Sequence, residues 1–166
     1  TSHYPQVEPL VSFDAVLELP RGEPSSVHSY GKAASQFAEL WLPQPTTAPA
    51  PLVIFIHGGC WLSAYSIEHS HALATALTQS GYAVWNIEYR RVGETGGGWP
   101  GSLEDIQAAI DLLYQLQAPE VDLQRVAIAG HSAGGHLALL AADSSQQKVA
   151  AIGLAPIIDI AEYASG

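Results

Sequence analysis

The chain has 166 residues, enough for one domain with a hydrophobic core, and its 48% hydrophobic and 13% charged residues favour a globular protein over a disordered one. Its formal net charge of −10 opposes binding to nucleic acid or to anionic lipid, so neither is expected as a partner. No apolar run approaches the ~20 residues of a membrane-spanning helix, so we expect a soluble protein.

The single cysteine, Cys60, excludes an intrachain disulfide and does not identify the compartment. A cytoplasmic location is favoured over a secreted one, because no positively charged segment followed by an apolar run opens the chain. The sequence contains no methionine, so we expect that residues upstream of Thr1 have been removed.

The first fifty residues contain two stretches that are predicted to be extended, residues 13–19 and residues 36–42. We expect them to form a strand hairpin. Proline recurs through residues 43–51, and this stretch is predicted to be a linker.

From residue 52 onwards, short apolar runs alternate with helical patterns, which is typical of a parallel sheet with crossover helices. Strands are predicted at residues 52–57, 83–88, 125–130 and 149–155. Helices are predicted at residues 68–79, 102–116 and 133–143. The sequence therefore predicts one domain over residues 1–166, with a hairpin and linker in 1–50 and a parallel core in 51–166.

Two of the predicted helices have an apolar stripe at helical spacing. In the first, the stripe consists of Leu73, Ala76 and Leu77. In the second it consists of Leu103, Ile106, Ile110, Leu113 and Leu116. Ser102 and Asp105 are predicted to start the second helix in the manner of a capping box.

A Gly-x-Ser-x-Gly pattern, Gly-His-Ser-Ala-Gly at residues 130–134, stands between a predicted buried strand and a predicted helix. In this context the pattern predicts a tight turn that exposes a nucleophilic serine, Ser132, above the edge of the sheet. The turn leaves no room for side chains, so Gly130 and Gly134 are predicted to support it sterically. The N-terminus of the following helix would face developing negative charge.

A second glycine-rich motif, His57-Gly58-Gly59-Cys60-Trp61, follows the strand predicted at residues 52–57. Glycines allow the main chain to approach a reacting oxygen closely, as an oxyanion hole requires. We predict that the backbone N–H groups of Gly59, Cys60 and Ala133 are the oxyanion donors, with His57 and Gly58 as supporting residues. Trp61, Tyr65 and Trp99 are candidates for lining an acyl or aromatic pocket.

With these motifs, the sequence resembles the esterase/lipase branch of the α/β-hydrolases, especially kynurenine-formamidase-like and carboxylesterase-like members with a His-Gly-Gly-x-Trp loop. Weaker matches in the family's order lie at residues 36–43, 86–91, 99–105 and 153–160. The resemblance implies an α/β-hydrolase fold, that is, a mostly parallel sheet with flanking helices, of which about six of eight strands would be present.

In this fold the acid and the histidine of the catalytic triad follow the serine along the chain. Asp159 matches a position that organises a loop in the family, and His57, His131 and His136 do not match the position of the base. His69 and His71 would point to different helix faces, so they are interpreted as surface residues rather than metal ligands. We therefore expect a fragment of a larger enzyme that has little activity alone, with its open sheet edge covered by self-association or by a further C-terminal segment.

The leading hypothesis is a serine hydrolase that cleaves small carboxylic esters or N-formyl amides through an acyl-enzyme on Ser132, without a metal or organic cofactor. One alternative is a non-catalytic hydrolase-fold module that binds a ligand or partner. Another is a peptidase of the same fold. A small-molecule substrate is the expected binding partner.

Overall fold

A computed structural model describes residues 12–45, 48–144 and 149–165. Its centre is a six-stranded sheet with the strand order β1-β2-β4-β3-β5-β6. The strands are β1 (Ser26–Ser29), β2 (Phe37–Trp41), β3 (Ala50–Ile56), β4 (Ala83–Ile87), β5 (Val121–His131) and β6 (Ala150–Leu154). Strands β3, β4, β5 and β6 are parallel, and β1 and β2 are antiparallel to their neighbours.

Helices connect the parallel strands. The connecting elements are a 3-10 turn (Ile67–Ser70) that leads into α2 (His71–Gln79), then α3 (Gly101–Leu116) and α4 (Ala133–Ser144). Helix α1 (Phe13–Leu17) precedes β1, and α5 (Ile160–Ser165) follows β6. The four predicted core strands and three predicted helices are confirmed, and they form the expected mostly parallel sheet with flanking helices. None of the helices in the described part of the chain is long and apolar enough to cross a membrane.

The N-terminal region differs from the prediction. Residues 13–17, which were predicted to be extended, form helix α1, because the Ser12 hydroxyl caps the Ala15 N–H at 3.2 Å and Asp14 lies in the first turn. The hairpin partner of β2 is instead β1, a short edge strand whose residues alternate between half-buried and exposed. A mostly polar segment of four residues gives little signal of a strand.

The predicted linker is shorter than expected, because β3 already begins at Ala50 and includes Pro51. The pairing of β3 with β5 shifts register between Pro51 and Leu52. A proline cannot donate a ladder hydrogen bond, so a strand tolerates it best at such an irregularity. Residues 46 and 47 of the predicted linker lie outside the described residues.

Helix α3 does not begin with a capping box. Pro100 occupies the N-cap position, and Ser102 and Asp105 are both buried. The Ser102 hydroxyl donates to the Arg90 carbonyl at 2.6 Å, and the Asp105 carboxylate accepts from the Arg90 guanidinium at 2.7 Å. Both side chains therefore fasten the helix to the segment after β4 instead of capping it.

Apolar side chains fill both faces of the sheet. The larger core contains the predicted α3 stripe, with Ile106 and Leu113 buried and the other members partly buried, and it includes Leu137 from α4. The smaller core, on the α2 side, buries Ala74 with Trp41, Phe55, Val84 and Ala129. The stripe predicted for α2 is thus partly wrong, because Leu73 is 36% exposed.

At the β6 edge of the sheet, Ile152 and Leu154 are exposed. The expected cover of this edge, by self-association or by a further segment, stays a prediction.

Two leucines on helix α4 test how much the larger core contributes to stability. Leu137 is 2% exposed and Leu139 is 36% exposed. Leu137→Ala leaves a cavity and should lower the free energy of unfolding by about 2–5 kcal/mol. Leu139→Ala should cost less, because its side chain is already 36% exposed and loses fewer contacts in the core. Urea unfolding of both variants measures the difference, and equal losses would contradict the packing described.

Candidate active site

Ser132 stands alone between the end of β5 at His131 and the start of α4 at Ala133. Its φ of 54° lies in the left-handed region, which a residue with a side chain adopts only when its surroundings enforce it. The Ser132 N–H donates to the Leu154 carbonyl at 2.9 Å, and the Ser132 carbonyl accepts from the His136 N–H at 3.2 Å. Main-chain bonds to β6 and to α4 therefore fix the turn.

The glycines around Ser132 are required by close backbone contacts. A methyl group at Gly130 would lie 2.2 Å from the Gly134 carbonyl oxygen, and one at Gly134 would lie 2.2 Å from the Ile56 carbonyl oxygen. Both distances are far inside van der Waals contact. Helix α4 can therefore start this close to β3 and β5 only where no side chain intervenes.

The loop after β3 has an unusual backbone. Gly59, Cys60 and Trp61 have φ values of 115°, 53° and 58°, so three consecutive residues lie in the left-handed region. The Leu62 N–H donates to the Gly59 carbonyl at 2.9 Å, and the Trp61 carbonyl accepts from the Val92 N–H at 2.7 Å. These hydrogen bonds help to hold the three residues in a conformation that is otherwise unfavourable, as is common at functional sites.

The structure brings this loop and the serine turn together. A methyl group at Gly58 would lie 2.8 Å from the His131 carbonyl oxygen and 3.2 Å from Ser132 Cβ. Gly58 therefore allows the loop to pack directly against the turn. The two motifs are more than 70 residues apart in sequence and adjoin in space because β3 and β5 are paired.

The N–H groups of the predicted oxyanion donors have no hydrogen-bond partner in the described part of the chain. Within residues 12–45, 48–144 and 149–165, no hydrogen bond uses the N–H groups of Gly59, Cys60 or Ala133, and none uses the Ser132 hydroxyl. The Ala133 N–H is also at the N-terminus of the twelve-residue helix α4, whose dipole favours negative charge. Their roles as donors and nucleophile stay predictions.

Two cavities flank the loop. Ser132 lines one of about 490 Å³ together with Gly59, Tyr65, His69, His131 and Phe13 of α1. The other, of about 560 Å³, is lined by Cys60, Trp61, Trp99, His136, Leu137 and Ile160 among others. Of the three aromatic residues suggested as pocket lining, Tyr65 thus lies in the first cavity, and Trp61 and Trp99 lie in the second.

None of the histidines in the described part of the chain hydrogen-bonds to the Ser132 hydroxyl. His57 is fully buried, with Nε2 2.8 Å from Glu88 Oε1 and Nδ1 2.7 Å from the Gly58 carbonyl oxygen. His131 is exposed. Burial lowers the pKa of His136, whose ring stands edge-on to Trp61. None of the described histidines is therefore hydrogen-bonded to Ser132 as a general base would be.

The interpretation of His69 and His71 as plain surface residues is wrong. His69 lines the Ser132 cavity, and its Nδ1 lies 2.7 Å from the Ser66 carbonyl oxygen. His71 Nε2 lies 3.1 Å from Glu39 Oε1, within hydrogen-bond distance. Asp159 caps α5, since its side chain accepts from the Glu162 N–H at 2.9 Å, in line with the loop role expected for it. The described residues contain no cluster of three metal-ligating side chains.

Gly134→Ala tests the steric requirement of the serine turn. Its methyl group would collide with the Ile56 and His57 carbonyl oxygens, so we expect a loss of more than about 4 kcal/mol or a failure to fold. Gly22→Ala is the matched control, because its methyl group would lie 3.7 Å from Thr75 Oγ1 in ordinary contact. Thermal unfolding of both proteins measures this, and a fully stable Gly134→Ala protein would show that α4 does not approach β3 so closely.

The pH dependence of stability tests the burial of His69. Burial, reinforced by the nearby His57, lowers the pKa of His69 from 6.5 to about 4. Between these values the unfolded chain binds a proton that the folded chain does not, so this contribution to stability is complete above pH 6.5 and is lost as the pH falls towards 4. We expect the urea midpoint of His69→Gln to fall less between pH 7.5 and pH 4.5 than that of the unsubstituted protein. Equal falls would contradict a buried neutral ring.

Comparison with known proteins agrees with this geometry. The family model described as BD-FAE matches residues 38–158. Esterase LipC of Mycobacterium tuberculosis is 32% identical over 68% of this chain, and kynurenine formamidase of Salmo salar is 29% identical over 72% of it. These matches cover 28% and 40% of the two relatives, so the chain spans less than half the length of the curated relatives it matches.

Solved structures show the same fold. The crystal structure of esterase B from Lactobacillus rhamnosis matches with a TM-score of 0.66 and 28% identity, over 85% of this chain and 50% of that one. The family match covers the sheet from β2 to β6, including the loop after β3 and the turn at Ser132. The chain therefore belongs to the BD-FAE family of esterase-type α/β-hydrolases.

Proposed function

We propose that the complete protein is a serine hydrolase that cleaves small carboxylic esters through an acyl-enzyme on Ser132. The observation that carries the proposal is the contact between the Gly58–Cys60 loop and the Ser132 turn, with unengaged N–H groups on both sides. The similarity to proteins named esterase and carboxylesterase supports the substrate class. Cavities of about 490 and 560 Å³ suit a small molecule.

In the proposed reaction, Ser132 Oγ attacks the ester carbonyl carbon and gives its proton to a general base. The carbonyl oxygen becomes negatively charged, and the N–H groups of Gly59, Cys60 and Ala133 stabilise it. Collapse of this intermediate expels the alcohol, which takes up the proton, and leaves an acyl group on Ser132. Water then attacks the acyl group by the same route and releases the acid.

The general base is proposed to come from residues of the complete protein beyond those described. A serine hydroxyl needs an adjacent base to act as a nucleophile, and no described imidazole is hydrogen-bonded to Ser132 Oγ. In α/β-hydrolases the acid and the histidine follow the serine in chain order. The proposal therefore assigns the nucleophile and the oxyanion site to this chain and the proton shuttle to other residues.

Two related functions use the same site. The likeness to kynurenine formamidase favours an N-formyl amide as an alternative substrate, since the amide carbonyl would develop the same charge. The lack of a base among the described residues favours a second candidate, a non-catalytic module that binds a carbonyl or carboxylate ligand with these N–H groups. Covalent labelling distinguishes the two classes, because only a hydrolase needs a reactive serine.

A fluorophosphonate probe tests the nucleophile directly. We expect it to label Ser132 in the complete protein, because the probe reacts with activated serines, and we expect peptide mass spectrometry to locate the adduct. Ser132→Ala should abolish labelling and lower kcat/KM for a p-nitrophenyl ester by about 10⁴-fold or more. Ser80→Ala, on the exposed end of α2, is the control and should behave as the unsubstituted protein. Absence of labelling in the folded, unsubstituted protein would refute the hydrolase proposal and leave the binding module.

A further inference from the structure

A buried carboxylate lies behind the loop that carries the predicted oxyanion donors. Glu88, the first residue after β4, is 3% exposed. Its Oε1 lies 2.8 Å from His57 Nε2 and 2.9 Å from the Tyr89 N–H nitrogen. Its Oε2 lies 3.0 Å from the Ile67 N–H nitrogen and 3.3 Å from Arg91 Nη1. The carboxylate is thus held by four donors.

His57 connects this carboxylate to the loop. One ring nitrogen lies 2.8 Å from a Glu88 carboxylate oxygen and the other lies 2.7 Å from the Gly58 carbonyl oxygen, so the ring bridges the carboxylate and the loop. Tyr89 stacks on the ring at a centroid distance of 4.6 Å, and its hydroxyl donates to the His57 carbonyl at 2.9 Å. These contacts hold both the ring and the main chain of His57 in place.

The bond to the Gly58 carbonyl determines where the next N–H points. A peptide unit is planar and trans, so its C=O and N–H project in opposite directions. Holding the Gly58 oxygen towards His57 therefore turns the Gly59 N–H away from His57. Without this bond, a Gly-Gly peptide has little resistance to rotation, because neither residue has a Cβ that restricts it.

Burying this network costs desolvation free energy, and stability of the core alone does not explain why the chain bears it. Removing a carboxylate from water is unfavourable, and apolar residues of similar volume often give an equally stable or more stable core. The pair instead supplies directional bonds to one loop peptide. Metal sites use a similar arrangement, in which a second residue hydrogen-bonds to a metal ligand and fixes its orientation. Removing that second residue weakens function because the ligand is no longer held in place.

We propose that Glu88 is a positioning residue that acts through His57 to hold the Gly58–Gly59 peptide, so that the Gly59 N–H faces the oxyanion. Glu88 does not contact substrate in this role. The proposal rests on the proposed hydrolase function for its catalytic consequence. The orientation of the Gly59 peptide is a separate physical claim and is measured separately.

Glu88→Gln tests the proposal in the complete protein. The amide nitrogen of glutamine cannot accept the hydrogen bonds that one carboxylate oxygen accepts, so the hold on His57 weakens while the size of the side chain is kept. We expect kcat for a p-nitrophenyl ester to fall about 10- to 100-fold with KM within about 2-fold, because the lost interaction acts on the transition state.

Asp105→Asn is the matched control for stability. Asp105 is 2% exposed and accepts several hydrogen bonds, as Glu88 does, but its donors are Arg90 and Gln36 instead of residues of the loop after β3. We expect both variants to lose thermal stability while only Glu88→Gln loses kcat. Equal losses of kcat in the two variants would overturn the proposal, since Glu88 would then be structural only.

A second variant and an independent readout complete the test. Glu88→Asp keeps the charge but withdraws the carboxylate from His57, so we expect a loss of kcat intermediate between those of the unsubstituted protein and Glu88→Gln. Because it keeps the buried charge paired with Arg91, it should fold even if Glu88→Gln fails to fold. With ¹⁵N-glycine labelling, the order parameter of the Gly59 amide should be about 0.85 in the unsubstituted protein and below about 0.6 in the Glu88 variants. A rigid Gly59 amide in these variants would overturn the proposal. If the probe fails to label Ser132, the hydrolase proposal falls, and the order parameter still decides whether Glu88 holds the loop.

Discussion

The close approach of three backbone segments around Ser132 is the constraint on which the rest of the site depends. The start of α4, the end of β5 and the loop after β3 meet at distances that leave no room for a Cβ at Gly58, Gly130 or Gly134. This contact brings the loop after β3 against the turn that carries Ser132. It also forces Ser132 into the left-handed region, a local cost that the packing of β3 and β5 must offset.

A second constraint is electrostatic. The chain buries Glu88 and Arg91 beside His57 and buries Asp105 against Arg90. Each carboxylate is satisfied by several donors, which is the condition under which buried charge is tolerated. The two networks use different residues of the segment after β4. One fastens helix α3 and the other fastens the loop that carries the predicted oxyanion donors.

The sequence predicts the core well because its strands are buried on both faces and therefore appear as apolar runs, as in β3 and β4. The prediction from sequence fails where a short segment combines strand-forming residues with a helix-capping residue. Residues 13–17 carry apolar residues suited to a strand, but the Ser12 cap stabilises a helix. The motifs identify Ser132 and the loop after β3 from local sequence alone. Glu88 escapes detection because its partners His57 and Ile67 are 31 and 21 residues away, and no local pattern marks a buried carboxylate.

The sheet's register explains why these parts meet. Ile56 of β3 pairs with Ile87 of β4 on one side and with Gly130 of β5 on the other, so the next residue, His57, lies between Glu88 and the Ser132 turn. The chain changes direction across the sheet between β3 and β5, which is the position where open parallel sheets form binding crevices. A slip of one residue between β3 and β4 would turn Glu88 to the opposite face. The two apolar cores that fix the register therefore also fix the geometry of the candidate site.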